Sequence, residues 1–323
     1  MKTSPLAVLS LVAASALVLT GCGTTEDTTE TDSGAATVSV VDDRGETIEL
    51  DGPATKVVAL EWNAAESLVS LGVMPTGISD IAGYTDYVQA APVDDTVTDV
   101  GMRGEPSVDA IAGLAPDLVV VTNDLAETAI TQIEEIAPVL VLRGADASDA
   151  IGQMEKNLGD IATLTGTEDE AETLLADLDA KIAEGKAAIE EAGLDGTAIA
   201  LNDAYAYNGA ITIRPFYQGA LLTDVAEQLG LVSAWEGEGD ENYGLGETDV
   251  EGLTALPADV KYLVLGSQEG TVYSNELAAN PIWTSLPFVQ SGDVYTLTDG
   301  IWPFGGPASI DLFVDSVVDS LTS

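Results

Sequence analysis

The side chains able to do chemistry are supplied unevenly in this 323-residue chain, and the gaps decide as much as the supply. There is no histidine. That excludes a Ser-His-Asp or Cys-His nucleophile and any zinc, manganese or haem site built on imidazole. Cys22 is the single cysteine, so it has neither a disulfide partner nor the company a thiolate metal site needs. No P-loop and no G-x-G-x-x-G follows a strand-like run. Carboxylates are plentiful, with 55 Asp plus Glu. Hydrolysis by a carboxylate pair therefore stays open, although no spacing singles out a pair. Cations are scarce: 10 Lys plus Arg leave a formal net charge of −45. A phosphate backbone would be repelled, so nucleic acid is excluded as a partner. The acidity itself reads as a solvated surface suited to high salt or acid exposure. What remains is recognition without chemistry. Arginine occurs only as Arg44, Arg103, Arg143 and Arg214, so any anionic ligand depends on very few of them.

Arg103 and Arg214 stand in loop-like sequence rather than on charged helix faces, one in each half of the chain. A guanidinium there offers two parallel hydrogen bonds to carboxylate or hydroxamate oxygens, each worth roughly 1.5–3 kcal/mol when charged. Trp62 follows a strand end and Trp302 lies in a Gly/Pro-rich loop, positions that suit the aromatic walls of a cleft. Tyr84, Tyr205, Tyr207 and Tyr217 are further candidates for such a wall, while Trp235 and Trp283 read as structural. The competing reading of each arginine is an ion pair with one of the many acids, and of each aromatic, core packing.

The elements that must position these residues begin after an N-terminal export segment. Lys2 precedes an apolar stretch from Leu6 to Leu19, closed by Leu19-Thr-Gly-Cys22. The stretch falls short of the roughly 20 residues of a spanning helix. Residues 1–22 are thus expected to be a lipoprotein signal with Cys22 acylated, two chains giving a stable anchor. Residues 23–36, almost without apolar content, form a flexible tether. A hairpin is predicted over 37–50. Short apolar runs then alternate with helical segments, as in parallel sheet covered on both faces: strands at 57–60, 77–79, 118–121 and 139–142, helices at 64–71, 108–114 and 126–136. Residues 148–192 break the rhythm. A helix over 150–164 is followed by one over 168–191 with apolar Ala171, Leu174, Leu175, Leu178, Ile182 and Ile189 and no proline. The α/β rhythm then resumes, with strands at 198–201, 211–213, 262–265 and 294–297 and helices at 219–229, 250–256 and the C-terminus. Pro106–Asp117 and Thr248–Asp259 echo each other, each a short helix leading into a strand. The expected fold is α/β: two Rossmann-like lobes, 37–166 and 193–323, joined by one rigid helix over 167–192, with a ligand cleft between them.

Three stretches carry a family resemblance: Lys56 to Val73, Val100-Gly-Met-Arg-Gly-Glu-Pro106 continuing to Leu118, and Gly300-Ile-Trp-Pro-Phe-Gly-Gly-Pro-Ala-Ser309. The chain resembles the helical-backbone (class III) periplasmic binding proteins of ABC importers over residues 38–321, and the trio Trp62, Arg103 and Trp302 resembles their iron-siderophore branch. The resemblance implies a monomeric, non-enzymatic, lipid-anchored binding protein on the outer face of the cytoplasmic membrane. It would capture a ferric siderophore, hydroxamate or citrate type favoured, and pass it to a permease. No cofactor is expected, since the siderophore carries the iron, and no metal ligand is assigned to the protein. The resemblance also implies that one acidic residue per lobe docks on permease arginines. The matching positions are Asp109 and Glu251, Asp109 being one methylene shorter than the family's usual Glu. Two alternatives stand beside this: a cobalamin or haem carrier on the same fold, and a surface hydrolase with paired carboxylates.

Overall fold

The computed structural model describes residues 37–266 and 271–323. Cys22, the segment 1–22 and the tether 23–36 lie outside the described residues.

The chain enters through an antiparallel hairpin, β1 (Val38–Val41) and β2 (Thr47–Leu50), whose alternation turns Ile48 and Leu50 inward. There follow β3 (Val57–Ala59), α1 (Trp62–Ser70), β4 (Gly77–Ile78), α2 (Ile81–Tyr87) and β5 (Thr98–Asp99). A small ribbon, β6 (Gly101–Met102) and β7 (Glu105–Pro106), holds Arg103 and Gly104 at its tip. Then come α3 (Val108–Leu114), β8 (Leu118–Thr122), α4 (Glu127–Glu134) and β9 (Val139–Leu142). The sheet runs β5-β4-β3-β8-β9 and every pairing in it is parallel. Its central strands are continuous apolar runs because both faces are covered. Val57, Ala59 and Val120 face one buried cluster, and Val58, Val119 and Val121 the other.

Helices α5 (Ala150–Thr165) and α6 (Glu168–Glu191) lead to the second lobe. The 24 residues of α6 span about 36 Å at the α-helical rise. Leu158 and Ile161 of α5 belong to the first lobe's core and Met154, one turn earlier, to the second's. The connection is therefore packed into both lobes, which favours small hinge motions over large ones.

The second lobe comprises β10 (Ala198–Tyr207), β11 (Ala210–Pro215), α7 (Leu221–Gln228), β12 (Val232–Ser233), β13 (Lys261–Gly266), α8 (Thr271–Ser274), α9 (Pro287–Ser291), β14 (Val294–Asp299) and α10 (Pro307–Thr322). Its sheet order is β11-β10-β13-β14, with β12 beside the start of β10. Two expectations are corrected. This sheet is mixed, not parallel: β10 and β11 form an antiparallel hairpin turning at Asn208-Gly209, both with positive φ (51° and 81°), the pair of residues that a tight primed turn demands. The helix expected over 250–256 is a single 3₁₀ turn, Gly252–Ala255. The echoed segments do occupy like places, α3 leading into β8 beside β3 and the 3₁₀ turn into β13 beside β10.

The lobes are also joined through side chains. Trp302, from the loop between β14 and α10, inserts into the first lobe's core with Trp62 and Tyr84. Glu66 of α1 is fully buried. Its carboxylate accepts hydrogen bonds from Gly306 N (2.9 Å), Ser309 N (2.8 Å) and Ser309 Oγ (2.8 Å) at the start of α10. A negative charge suits that helix end.

Candidate ligand-binding site

The carboxyl ends of both sheets meet at a chain of aromatic rings. Tyr87 stacks on Trp62 (5.7 Å between centroids), Trp62 meets Trp302 edge-on (4.8 Å), and Trp302 meets Phe304 (5.2 Å). Phe304 in turn touches Tyr243 (4.9 Å) and stacks on Phe216 (6.4 Å). Trp62 is fixed by Nε1 donating to Ser79 O (3.1 Å) and by the missing side chain of Gly83, where a Cβ would lie 2.5 Å from the indole. Trp302 Nε1 is buried with no hydrogen-bond partner among the described residues.

An arginine covers each end of this chain. The Arg103 guanidinium lies 4.2 Å from the Trp62 centroid and 5.0 Å from that of Trp302. That of Arg214 lies 5.8 Å from Phe216 and 5.9 Å from Phe304, both within cation–π reach. So the two arginines chosen from sequence are brought to one site, one from each lobe. Their forks, however, are already engaged. Arg103 Nη2 contacts Glu61 at 2.7 Å and Nε donates to the other oxygen at 3.2 Å. Arg214 Nε donates to Asp203 Oδ1 at 2.9 Å and Nη2 to Oδ2. The expectation of two guanidinium forks open to an anion is corrected accordingly. Burial pushes the Glu61 carboxyl up, and Arg103 opposes it without prevailing. Asp203 behaves the same way beside Arg214. At the neighbouring strand end Arg143 pairs with Asp146, and across the lobes the Tyr243 hydroxyl donates to Asp124. Burial and that carboxylate both raise the Tyr243 phenol.

The remaining candidates separate. Trp62 and Trp302 are 4% and 8% exposed, so they floor the site beneath Arg103 instead of forming open walls. Tyr84 is excluded from it: wholly buried, its hydroxyl donates to Ala91 O (2.6 Å) in the first lobe's core. Its helix neighbour Tyr87 is the ring that reaches the site. Tyr205 and Tyr207 share a strand face with Asp203 by the two-residue period, Tyr205 half-buried and Tyr207 exposed near the hairpin tip. Tyr217 packs on Trp235 (6.3 Å). Trp235 bonds Leu201 O through Nε1 (2.8 Å), and Trp283 lies in a buried cluster. Asp109 is exposed in the first turn of α3, and Glu251 is exposed just before its 3₁₀ turn. Glu61, Asp203, Tyr243, Phe216 and Phe304 escaped the sequence reading. Phe304 stands two residues from Trp302 and Glu61 directly before Trp62, so proximity to the named residues was the available signal.

The enclosed space between the lobes, lined by Asn63, Leu142, Gln153, Gly219, Tyr243 and Phe304 among others, is ≈ 30 Å³. A wider depression of ≈ 290 Å³ beside it is lined by Glu61, Arg103, Gly104, Thr122, Asp124 and their apolar neighbours. A drug-sized ligand needs about 300–1,000 Å³, more than the space between the lobes holds, and the Tyr243–Asp124 contact joins the lobes beside both spaces.

The sequence pattern of a family described as periplasmic binding protein matches residues 57–300. The iron(3+)-hydroxamate-binding protein FhuD of Escherichia coli strain K12 is 26% identical over 259 residues, 80% of this chain and 84% of the relative. The Fe(3+)-citrate-binding protein YfmC of Bacillus subtilis strain 168 is 25% identical over 299 residues, 92% of this chain and 90% of the relative. Among solved structures, the siderophore-binding protein FhuD of Vibrio cholerae with bound Fe3+-Desferal superposes with a TM-score of 0.74 at 25% identity, covering 83% of this chain and 98% of that one.

Proposed function

The chain belongs to the periplasmic binding protein family, a family of carriers and not of enzymes, and we propose that it captures a ferric siderophore and delivers it to the permease of an ABC importer. The observation that carries this reading is the arginine-capped aromatic chain from Arg103 to Arg214, shared between the lobes where both sheets present their carboxyl ends. A ferric siderophore is a rounded complex, apolar outside the donor shell and studded with oxygen acceptors. Aromatic faces and guanidinium donors suit both features. Parting the lobes would also offer Trp302 Nε1, otherwise unpaired, as a further donor. The carboxylates at the site are each held by an arginine or a tyrosine, an arrangement that supports binding over carboxylate-pair hydrolysis.

In this reading the iron stays on the siderophore and no protein side chain replaces its donors. Cys22 carries the lipid anchor on the outer face of the cytoplasmic membrane, with 23–36 as tether, and the protein acts as a monomer. Exposed Asp109 and Glu251, one at the start of each echoed turn, meet the permease.

A tryptophan-fluorescence titration tests the reading, since two of the four tryptophans lie at the site. Saturable quenching by ferric citrate, a ferric hydroxamate or a ferric catecholate, and not by the iron-free chelators, is expected. A response confined to cobalamin or haemin would overturn the substrate. No response to any ferric complex would overturn the proposal.

A further inference from the structure

Resting on the siderophore reading above, we infer that the site selects ferric complexes without net negative charge: neutral or cationic tris-hydroxamates, to the exclusion of anionic catecholate and citrate complexes. Ferric ion neutralises three hydroxamates, each singly charged, whereas three doubly charged catecholates leave a trianion. Ligand charge therefore separates siderophore classes that resemble one another in size.

The site's own charge is set by its ion pairs. Two guanidiniums, Arg103 and Arg214, stand against the three carboxylates of Glu61, Asp203 and Asp124. The next cation along the strand ends, Arg143, is matched by Asp146. Each arginine pair lies within a single lobe: Glu61 and Arg103 both precede α3, and Asp203 faces Arg214 directly across the β10–β11 hairpin. Opening the lobes therefore breaks neither pair. At the site it breaks the contact of Tyr243 with Asp124, which bares one more carboxylate.

An anionic ligand could claim the two-point fork of an arginine, and with it a full charge partner, only by taking that arginine from its carboxylate. Glu61 and Asp203 side chains are 16% and 14% exposed, so the abandoned carboxylate would stay mostly desolvated and unpaired, which is strongly unfavourable. A neutral hydroxamate makes no such demand. Glu61 occupies Nε and Nη2 of Arg103, and the third nitrogen can donate to a neutral hydroxamate oxygen without disturbing the pair. Glu61 and Asp203 thereby act as specificity-determining residues by holding the arginines out of reach of anions.

The test varies charge on one scaffold. The ferric complex of a linear tris-hydroxamate is prepared with its terminal amine free, acetylated or succinylated, giving a cation, a neutral species and an anion of like shape. Binding to the full chain is measured by calorimetry at about 0.15 M salt, where repulsion from the distant surface charge is screened beyond about 8 Å. We expect the cationic and neutral complexes to bind about tenfold or more tighter than the anion, and Glu61→Gln and Asp203→Asn each to bring the anion several-fold closer. Equal or tighter binding of the anion by the unaltered protein would overturn the inference. So would preference for a ferric tris-catecholate, which would leave the siderophore reading intact. Failure of every ferric complex to bind would overturn that reading, and this inference with it.

Discussion

Glu66 is the residue whose removal this structure predicts most sharply. Its carboxylate, without contact to solvent, takes three hydrogen bonds from Gly306 and Ser309, and so ties α1 of the first lobe to the start of α10. Hydrogen bonds to a charged group contribute about 1.5–3 kcal/mol each, but the total is reduced because burial of the charge is itself costly. That cost shows in a carboxyl held above its ordinary 4.5, burial outweighing all three donors. Glu66→Ala leaves those donors unsatisfied beside a void, each buried unpaired group costing about 1–3 kcal/mol. We expect a loss of about 4 kcal/mol in unfolding free energy. Glu66→Gln keeps an oxygen for the two backbone N–H groups and removes the buried charge, so at pH 7 it should lie within about 1 kcal/mol of wild type, a surface-like effect in spite of its burial. The assay is urea denaturation followed by tryptophan fluorescence and circular dichroism together, coincident curves validating the two-state treatment. Because the folded pKa is raised, the stability linked to Glu66 is fully present below pH 4.5 and is lost as pH rises through the folded value. Glu66→Gln should remove that dependence. A cost for Glu66→Ala below about 1.5 kcal/mol, or a Glu66→Gln as damaging as Glu66→Ala, would refute the assignment of Glu66 as a hydrogen-bonded tie between lobes.

Other expectations follow from the same contacts. Tyr243→Phe removes the hydroxyl that bridges to Asp124 across the lobes and should raise ligand affinity several-fold by relieving the penalty of a closed ground state; unchanged or weaker binding would show that opening does not involve this bond. Gly83→Ala places a methyl 2.5 Å from the Trp62 indole; it should cost about 1–3 kcal/mol as an overpacked site and blunt ligand quenching, and a neutral result in both would contradict the placement of that ring. Burial also raises Glu61 and Asp203, so their linked stability, like that of Glu66, is greatest below their ordinary 4.5 and 3.8 and declines as pH climbs through the folded values. With a formal charge of −45 adding self-repulsion at neutral pH, Tm should rise both on acidification from about pH 7.5 to about pH 5 and on adding salt at neutral pH. A Tm that falls in both titrations would contradict this account of the acidity.

Much of the architecture was legible because its signals are local. The apolar runs at 118–121 and 139–142 became adjacent parallel strands, the second at the sheet edge, the uninterrupted helix over 168–191 became the connection between lobes, and the family expected from 38–321 is borne out by the match over 57–300. The mixed second sheet is legible in the sequence too. Asn208-Gly209 is a strong hairpin signal, and counting outward from it sets Tyr207 opposite Ala210 and Asp203 opposite Arg214, which would have exposed the ion pair that closes one arginine fork. Arg103 is different. Its partner Glu61 lies 42 positions away, and only tertiary structure decides which of 55 acids meets it. Among the tyrosines, Ile81, Tyr84 and Tyr87 recur at a helical spacing on the unread α2. One turn apart on that face, Tyr84 is buried in the core and Tyr87 stacks on Trp62, a division that the spacing alone does not reveal.

The central claim, that an intact ferric siderophore binds between the lobes against the arginine-capped aromatic chain, is tested most directly by locating the iron. Crystals grown with a ferric tris-hydroxamate would be measured at the iron absorption edge. The account predicts one anomalous peak between the lobes, with siderophore oxygens in contact with Arg103 and Arg214 and no protein atom in the iron's coordination shell. A peak ligated by protein carboxylates or phenolates, or one lying away from Trp302 and Phe304, would contradict it.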